Sequence, residues 1–169
     1  MESIQVKDLQ QKDLATAAEF YARGVLMQVP PGSSASLKKL TEIMRIDLEL
    51  FLASKRNRLV WLAVENDMLK GVVDFFVEPP QIRIKFIGAI PPGKGTGTLL
   101  LYQLGRLCFS KNVNTITAEV SKSDPRAWNF YFKHLGFQDH GICNEEPGLI
   151  LHLAVVSPQS LLLNIQKRR

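Results

Sequence analysis

Gly93, Gly95 and Gly97 recur at alternate positions in Pro91-Pro92-Gly93-Lys94-Gly95-Thr96-Gly97-Thr98. Apolar Ile87-Gly88-Ala89-Ile90 precedes them and Leu99-Leu100-Leu101 follows. Glycine at such spacing lets successive backbone N–H groups converge and lets a bulky anion come close. A helix beginning beside the last glycine adds unpaired N–H groups and the positive end of its dipole. The chemistry this predicts is a cradle for phosphate or pyrophosphate, with Lys94 as a mobile positive charge. The run from Gly88 to Lys94 also fits the Gly-x-x-x-x-Gly-Lys of nucleoside-triphosphate loops. That reading needs Ser or Thr after the lysine to hold magnesium, and the residue there is Gly95.

A second block is Asp124-Pro125-Arg126-Ala127-Trp128-Asn129-Phe130-Tyr131, ending in Leu135-Gly136-Phe137. With the glycine turn it resembles the GCN5-related N-acetyltransferase family. That family carries Arg/Gln-x-x-Gly-x-Gly/Ala between its fourth strand and third helix, and Asn-x-x-Ala-x-x-x-Tyr followed by Gly-Phe further on. Here Pro92 stands at the Arg/Gln position and Asp124 at the Asn position. One extra residue separates Tyr131 from Gly136. Counting from Ala127 puts Tyr131 at the tyrosine position, and counting back from Gly136 puts Phe132 there. A one-residue helix bulge absorbs the difference.

The resemblance implies acetyl-CoA as co-substrate, with its pyrophosphate on the backbone of Gly93, Lys94, Gly95, Thr96, Gly97 and Thr98. It implies that Ile87, Gly88, Ala89 and Ile90 present backbone groups to the pantetheine arm as the fourth strand splays from the fifth. It makes Tyr131 the candidate general acid for the departing thiolate, against a packing role in its aromatic cluster. Glu119, twelve residues before Tyr131, is the candidate base acting through water, with Asp74 and Glu78 as weaker alternatives. Trp61 and Phe76 read as core rather than cleft. The acceptor is a small-molecule amine or a peptide or protein amine, shaped by the first two helices and the connection at 29–35. A catalytically silent acyl-CoA-binding module is the alternative function, and a phosphate-loop nucleotide binder the lesser one.

Composition is that of an ordinary soluble globular protein. Of 169 residues 46% are hydrophobic and 22% charged, as in ordinary globular proteins. Lys and Arg number 21 against 16 Asp and Glu, a net charge of +5. Three of those charges are Lys167-Arg168-Arg169, so no nucleic-acid partner is expected. No apolar run suits a membrane, and the start of the chain does not read as a secretory signal. Cys108 and Cys143 read as reduced thiols of a cytoplasmic protein. His134, His140 and His152 lack ligand spacing, so no metal is expected. A monomer or homodimer is expected.

These residues need elements to carry them. Strands are predicted near 4–6, 59–64, 69–77, 81–90, 115–120 and 149–156, from period-two alternation and apolar runs. Helices are predicted at 12–27, 36–54, 98–111, 125–135 and beyond Ser157-Pro158, with a break at 29–34. The fold expected is α/β (α+β), one mixed, mostly antiparallel sheet of six to seven strands with helices on both faces, of the acyl-CoA N-acyltransferase type. It is expected as a single domain over 1–169, closed by a short helix and basic tail at 157–169.

Overall fold

The computed structural model of the chain describes residues 3–28 and 34–168. β1 (Gln5–Asp8) leads through a 3-10 turn into α1 (Leu14–Gln28) and α2 (Leu37–Ala53). β2 (Arg58–Glu65), β3 (Met68–Glu78) and β4 (Gln81–Ala89) follow, then α3 (Thr96–Ser110) and β5 (Thr115–Ser121). α4 (Pro125–Trp128) continues as a π-helical turn over Asn129–His134. β6 (Gln138–Glu146), β7 (Leu149–Val156) and α5 (Pro158–Gln166) complete the chain. The strands form one seven-stranded sheet in the order β1-β2-β3-β4-β5-β7-β6. It is mixed, because β4 and β5 run parallel while β1/β2, β5/β7 and β6/β7 are antiparallel. This is the predicted class, with β6 as the strand that the sequence pattern does not show.

Two compact units are present, Met1–Asp74 with Phe86–Leu100 and Phe75–Lys85 with Leu101–Arg169. In the first, Leu9, Ala17, Leu48, Leu62 and Val72 form the buried core. α1 lies close to Phe86, because Gly24 has no side chain to meet that ring, and Tyr21 stacks on the same ring with centroids 4.1 Å apart. A charged cluster lies alongside, with Asp74 fully buried and Arg58 and Asp47 partly so. Arg58 grips Asp74 with Nε to Oδ1 at 2.9 Å and a terminal nitrogen to Oδ2 at 2.8 Å. The same guanidinium reaches Asp47 at 2.6 and 3.2 Å, and Tyr21 donates its hydroxyl to Asp74 at 3.1 Å. One cluster therefore ties α1, α2, β2 and β3. Asp74 has no exposed surface, so its charge depends on buried donors such as these.

In the second unit Phe75, Ile82, Leu101, Leu104, Ile116 and Leu161 are buried. Gly105 of α3 admits Leu162 of α5 to about 3.0 Å from where a Cβ would stand. α5 starts at Ser157, whose side chain accepts from the Ser160 N–H, with Pro158 in the first turn where its missing N–H is no loss. β4 and β5 are in register from Gln81↔Thr115 to Ile84↔Ala118.

Two boundaries differ from the sequence reading. α3 begins at Thr96 rather than 98, so Thr96, Gly97 and Thr98 are the first turn of the helix and not its approach. The expected break at 29–34 falls largely on residues 29–33, which lie outside the described residues. Trp61 and Phe76, expected as core, are half-buried, and Phe76 lies under the Arg83 guanidinium at 4.5 Å.

Candidate functional site

The glycine turn lies in the first unit. Ile87, Gly88 and Ala89 end β4 half-buried, and Ile90 donates its N–H to the Lys70 carbonyl at 2.8 Å. From there to Gly95 every residue is exposed. Gly93 and Gly95 have φ of +76° and +86°, values that L side chains rarely adopt. A Cβ on either would meet no protein atom within 4 Å, so the space beside this backbone is open. The Gly95 carbonyl accepts the Leu99 N–H at 2.9 Å, which makes Gly95 the cap of α3. The N–H groups of Thr96, Gly97 and Thr98 precede any partner within the helix. No acidic residue stands in that first turn to offset the dipole. This fits a diphosphate: open space, bare backbone donors and the positive end of a helix. Lys94 is exposed beside it.

Gly71 positions this turn, and the sequence reading passes over it. A Cβ there would lie 2.7 Å from the Thr96 methyl and 3.1 Å from the Gly88 carbonyl oxygen. Its absence lets the first turn of α3, with Thr96 only 3% exposed, sit directly on β3. The available signal is a lone glycine inside an apolar strand, which marks close backbone approach.

The two catalytic candidates lie in the second unit. Tyr131 occupies the π-helical turn, is 5% exposed and packs edge-on against Phe137 with centroids 5.1 Å apart. Burial pushes its phenol above the ordinary value. Its hydroxyl takes no hydrogen bond from any described residue. A neutral phenol in a dry setting, with its hydroxyl not committed to another group, can donate a proton to a group brought to it.

Glu119 is exposed on β5, opposite Leu153 of β7. Its polar contact is with the Cys143 thiol, 3.8 Å from Oε1. Burial, and then the charge of Glu119, raise that thiol above its ordinary value. Glu119 and Tyr131 share no hydrogen bond. Of the weaker carboxylates, Asp74 is committed to Arg58 and Tyr21, and Glu78 faces Arg83 at 3.4 Å. Of the histidines, His134 lies against Arg168 and His152 places Nδ1 3.0 Å from both oxygens of Asp139. Sequence spacing carries no sign of the His152–Asp139 pair, which the β6–β7 hairpin brings together. A groove of about 580 Å³ at that hairpin, lined by Lys122, Glu145, Glu146 and Leu149 among others, contains none of the predicted site residues. Among the described residues no three His, Cys, Asp or Glu side chains converge as metal donors, and no helix is long and apolar enough to cross a membrane.

The model of the acetyltransferase (GNAT) family matches residues 33–137, which include the glycine turn and Tyr131. The chain belongs to the GNAT family. It is thus an acetyl-CoA-dependent N-acetyltransferase by class. No curated protein matches the sequence at a significant level. Solved structures share the GNAT fold at low identity. PaiA N-acetyltransferase from Thermoplasma acidophilum, in complex with coenzyme A, superposes with a TM-score of 0.71 at 16% identity, over 89% of this chain and 98% of that one. Spermidine N-acetyltransferase from Vibrio cholerae, with CoA and spermine, gives 0.70 at 17% identity over 94% and 98%. The aminoglycoside acetyltransferase AAC(6')-Ib, with paromomycin and acetyl-CoA, gives 0.68 at 24% over 94% and 96%.

Proposed function

We propose that this GNAT protein acetylates a primary amine by direct transfer from acetyl-CoA. The observation that carries the reading is the open glycine turn, with two positive-φ glycines running into a helix start that has no acidic residue in its first turn. Its backbone N–H groups bind the diphosphate, and Ile87 to Ile90 offer backbone groups to the pantetheine arm. Acetyl-CoA supplies the activated acetyl group. The amine nitrogen forms the new C–N bond as the C–S bond breaks. Tyr131 gives its hydroxyl proton to the departing thiolate. Glu119 receives the proton lost by the amine, relayed by water.

The acceptor is a small-molecule amine or an amine of a peptide or protein. Support comes from the structural neighbours named for spermidine and aminoglycoside acetylation. The test is thiol release from acetyl-CoA across a panel of amines, with coenzyme binding followed in parallel by calorimetry. Release with at least one amine is expected. Binding without release from any amine class would favour a silent acyl-CoA-binding module.

A further inference from the structure

We infer that Asn164 and Arg168, on and just beyond α5, are positioning residues for Tyr131. The inference rests on the reading of Tyr131 as the acid. The hydroxyl has no hydrogen-bond partner among the described residues, so its direction is set by ring packing against Phe130 and Phe137 and by the backbone of the turn.

That backbone is a π-helical turn, a rare form that persists only where its surroundings impose it. Its start is fixed by Asp124, which caps the Ala127 N–H at 3.1 Å and accepts the Trp128 N–H on its carbonyl at 2.9 Å. Its end is fixed carbonyl by carbonyl. Phe130 O accepts from Leu135 N–H at 3.0 Å and Tyr131 O from Phe137 N–H at 3.0 Å. The carbonyls of Lys133 and Leu135 take side-chain donors from farther along the chain instead. Arg168 donates to Lys133 O at 2.8 Å and Asn164 Nδ2 donates to Leu135 O at 3.0 Å. The other arm of the same guanidinium meets His134 Nδ1 at 3.0 Å. Gly136, at φ +72°, is the residue that leaves room, since a Cβ there would collide with Nδ2 of Asn164. Asn164 is held in turn by its neighbours Leu161 and Ile165, both buried.

Without these anchors the carbonyls of Lys133 and Leu135 lose their donors, and the segment that holds Phe137 against the Tyr131 ring is free to shift. Asn164 and Arg168 hold the far end of the turn, and with it the Phe137 ring that sets the direction of Tyr131.

The test is a double-mutant cycle. Arg168→Gln and Asn164→Ala are each made in the wild type and in Tyr131→Phe, and kcat, the KM for acetyl-CoA and Tm are measured. In the wild-type background each is expected to lower kcat at least about fivefold while KM moves less than about twofold. In Tyr131→Phe the same changes are expected to alter kcat by less than about twofold, because the group they aim is gone. Equal losses in both backgrounds would mean that they only support the fold and would overturn the proposal, as would unchanged kcat in both single variants. If Asn164→Ala does not fold, exposed Arg168→Gln decides alone. A Tyr131→Phe enzyme as fast as the wild type removes the acid reading and this proposal with it. A slow Tyr131→Phe enzyme with indifferent Asn164 and Arg168 variants removes this proposal only.

Discussion

Leu135 donates its backbone N–H to the carbonyl of Phe130 at 3.0 Å, five residues back rather than four. That one hydrogen bond accommodates the extra residue between Tyr131 and Gly136. It leaves Tyr131 buried against Phe137 while Phe132 is half-buried against Trp128, with centroids 4.4 Å apart. The two ways of counting the motif are thus reconciled at the bulge, and Tyr131 is the inward aromatic of the pair.

Tyr131→Phe is expected to lower kcat by at least about tenfold, at the modest end of general-acid effects, with coenzyme affinity nearly unchanged. Moving the hydroxyl one residue along, in Tyr131→Phe combined with Phe132→Tyr, is expected to restore nothing. Steady-state kinetics with parallel calorimetry checks both. Recovery in the double variant would show that the turn does not choose between the two positions.

The contact between Glu119 and Cys143 can be read chemically. Burial and the neighbouring carboxylate both raise the thiol, so little thiolate exists at neutral pH. Glu119→Gln removes the second cause and is expected to speed alkylation of Cys143 by iodoacetamide at pH 7.5. Cys108, pushed up to about 12 by burial, should stay unreactive in the folded protein. An unchanged or slower rate at Cys143 would place Glu119 away from it.

Asp74→Asn keeps the shape of the side chain but leaves Arg58 with only Asp47 as a carboxylate partner. Arg58 shows 12% of its side chain to solvent and Asp74 none. Losing one charged partner of a buried pair should cost about 2–3 kcal/mol, read from the urea midpoint. A loss indistinguishable from zero would show that Asp47 and solvent suffice for Arg58.

Alkali should unfold the protein through its buried acids. Burial, followed by the charge of Asp74, raises the Tyr21 phenol, and burial raises Tyr131 and Cys108. Each group therefore keeps its proton in the folded state at pH values where the unfolded chain has lost it. Their contribution is complete below the unfolded values and fades as pH rises through the folded ones. Stability is expected to fall from about pH 9 upward, by at most about 1.4 kcal/mol per pH unit for each group. Tyr21→Phe and Tyr131→Phe should each flatten that decline in urea titrations between pH 8 and about 11. A decline of unchanged slope in both would contradict their burial as neutral phenols.

The parts legible in the sequence are those with a local pattern. The stripe of the second helix marks Leu48 and Phe51 as inward, and both are buried. The alternating glycines mark the turn at 93–97 because no other residue tolerates that backbone so cheaply. β6 is illegible because all nine of its residues are exposed, so no face needs apolar side chains, and Asp139, Gly141 and Asn144 are poor strand formers. The commitment of Asp74 is equally hidden, since its partners lie 16 and 53 residues away in sequence. Gly71 looks like a weak point in a strand until Thr96 is seen against it. The acceptor stays out of reach of a pattern-based reading because its specificity rests on side chains brought together only by the fold.

The most direct test is calorimetry of acetyl-CoA binding to the wild type and to Gly95→Asn, with Tm as a check on folding. Asparagine tolerates positive φ better than other side chains, so the variant adds bulk to the open face of the turn with limited strain. Binding by the wild type and a loss of at least about tenfold in the variant, about 1.4 kcal/mol, is the predicted result. Equal affinity in a folded variant, or a wild type that does not bind, would contradict the assignment of the turn as the diphosphate site.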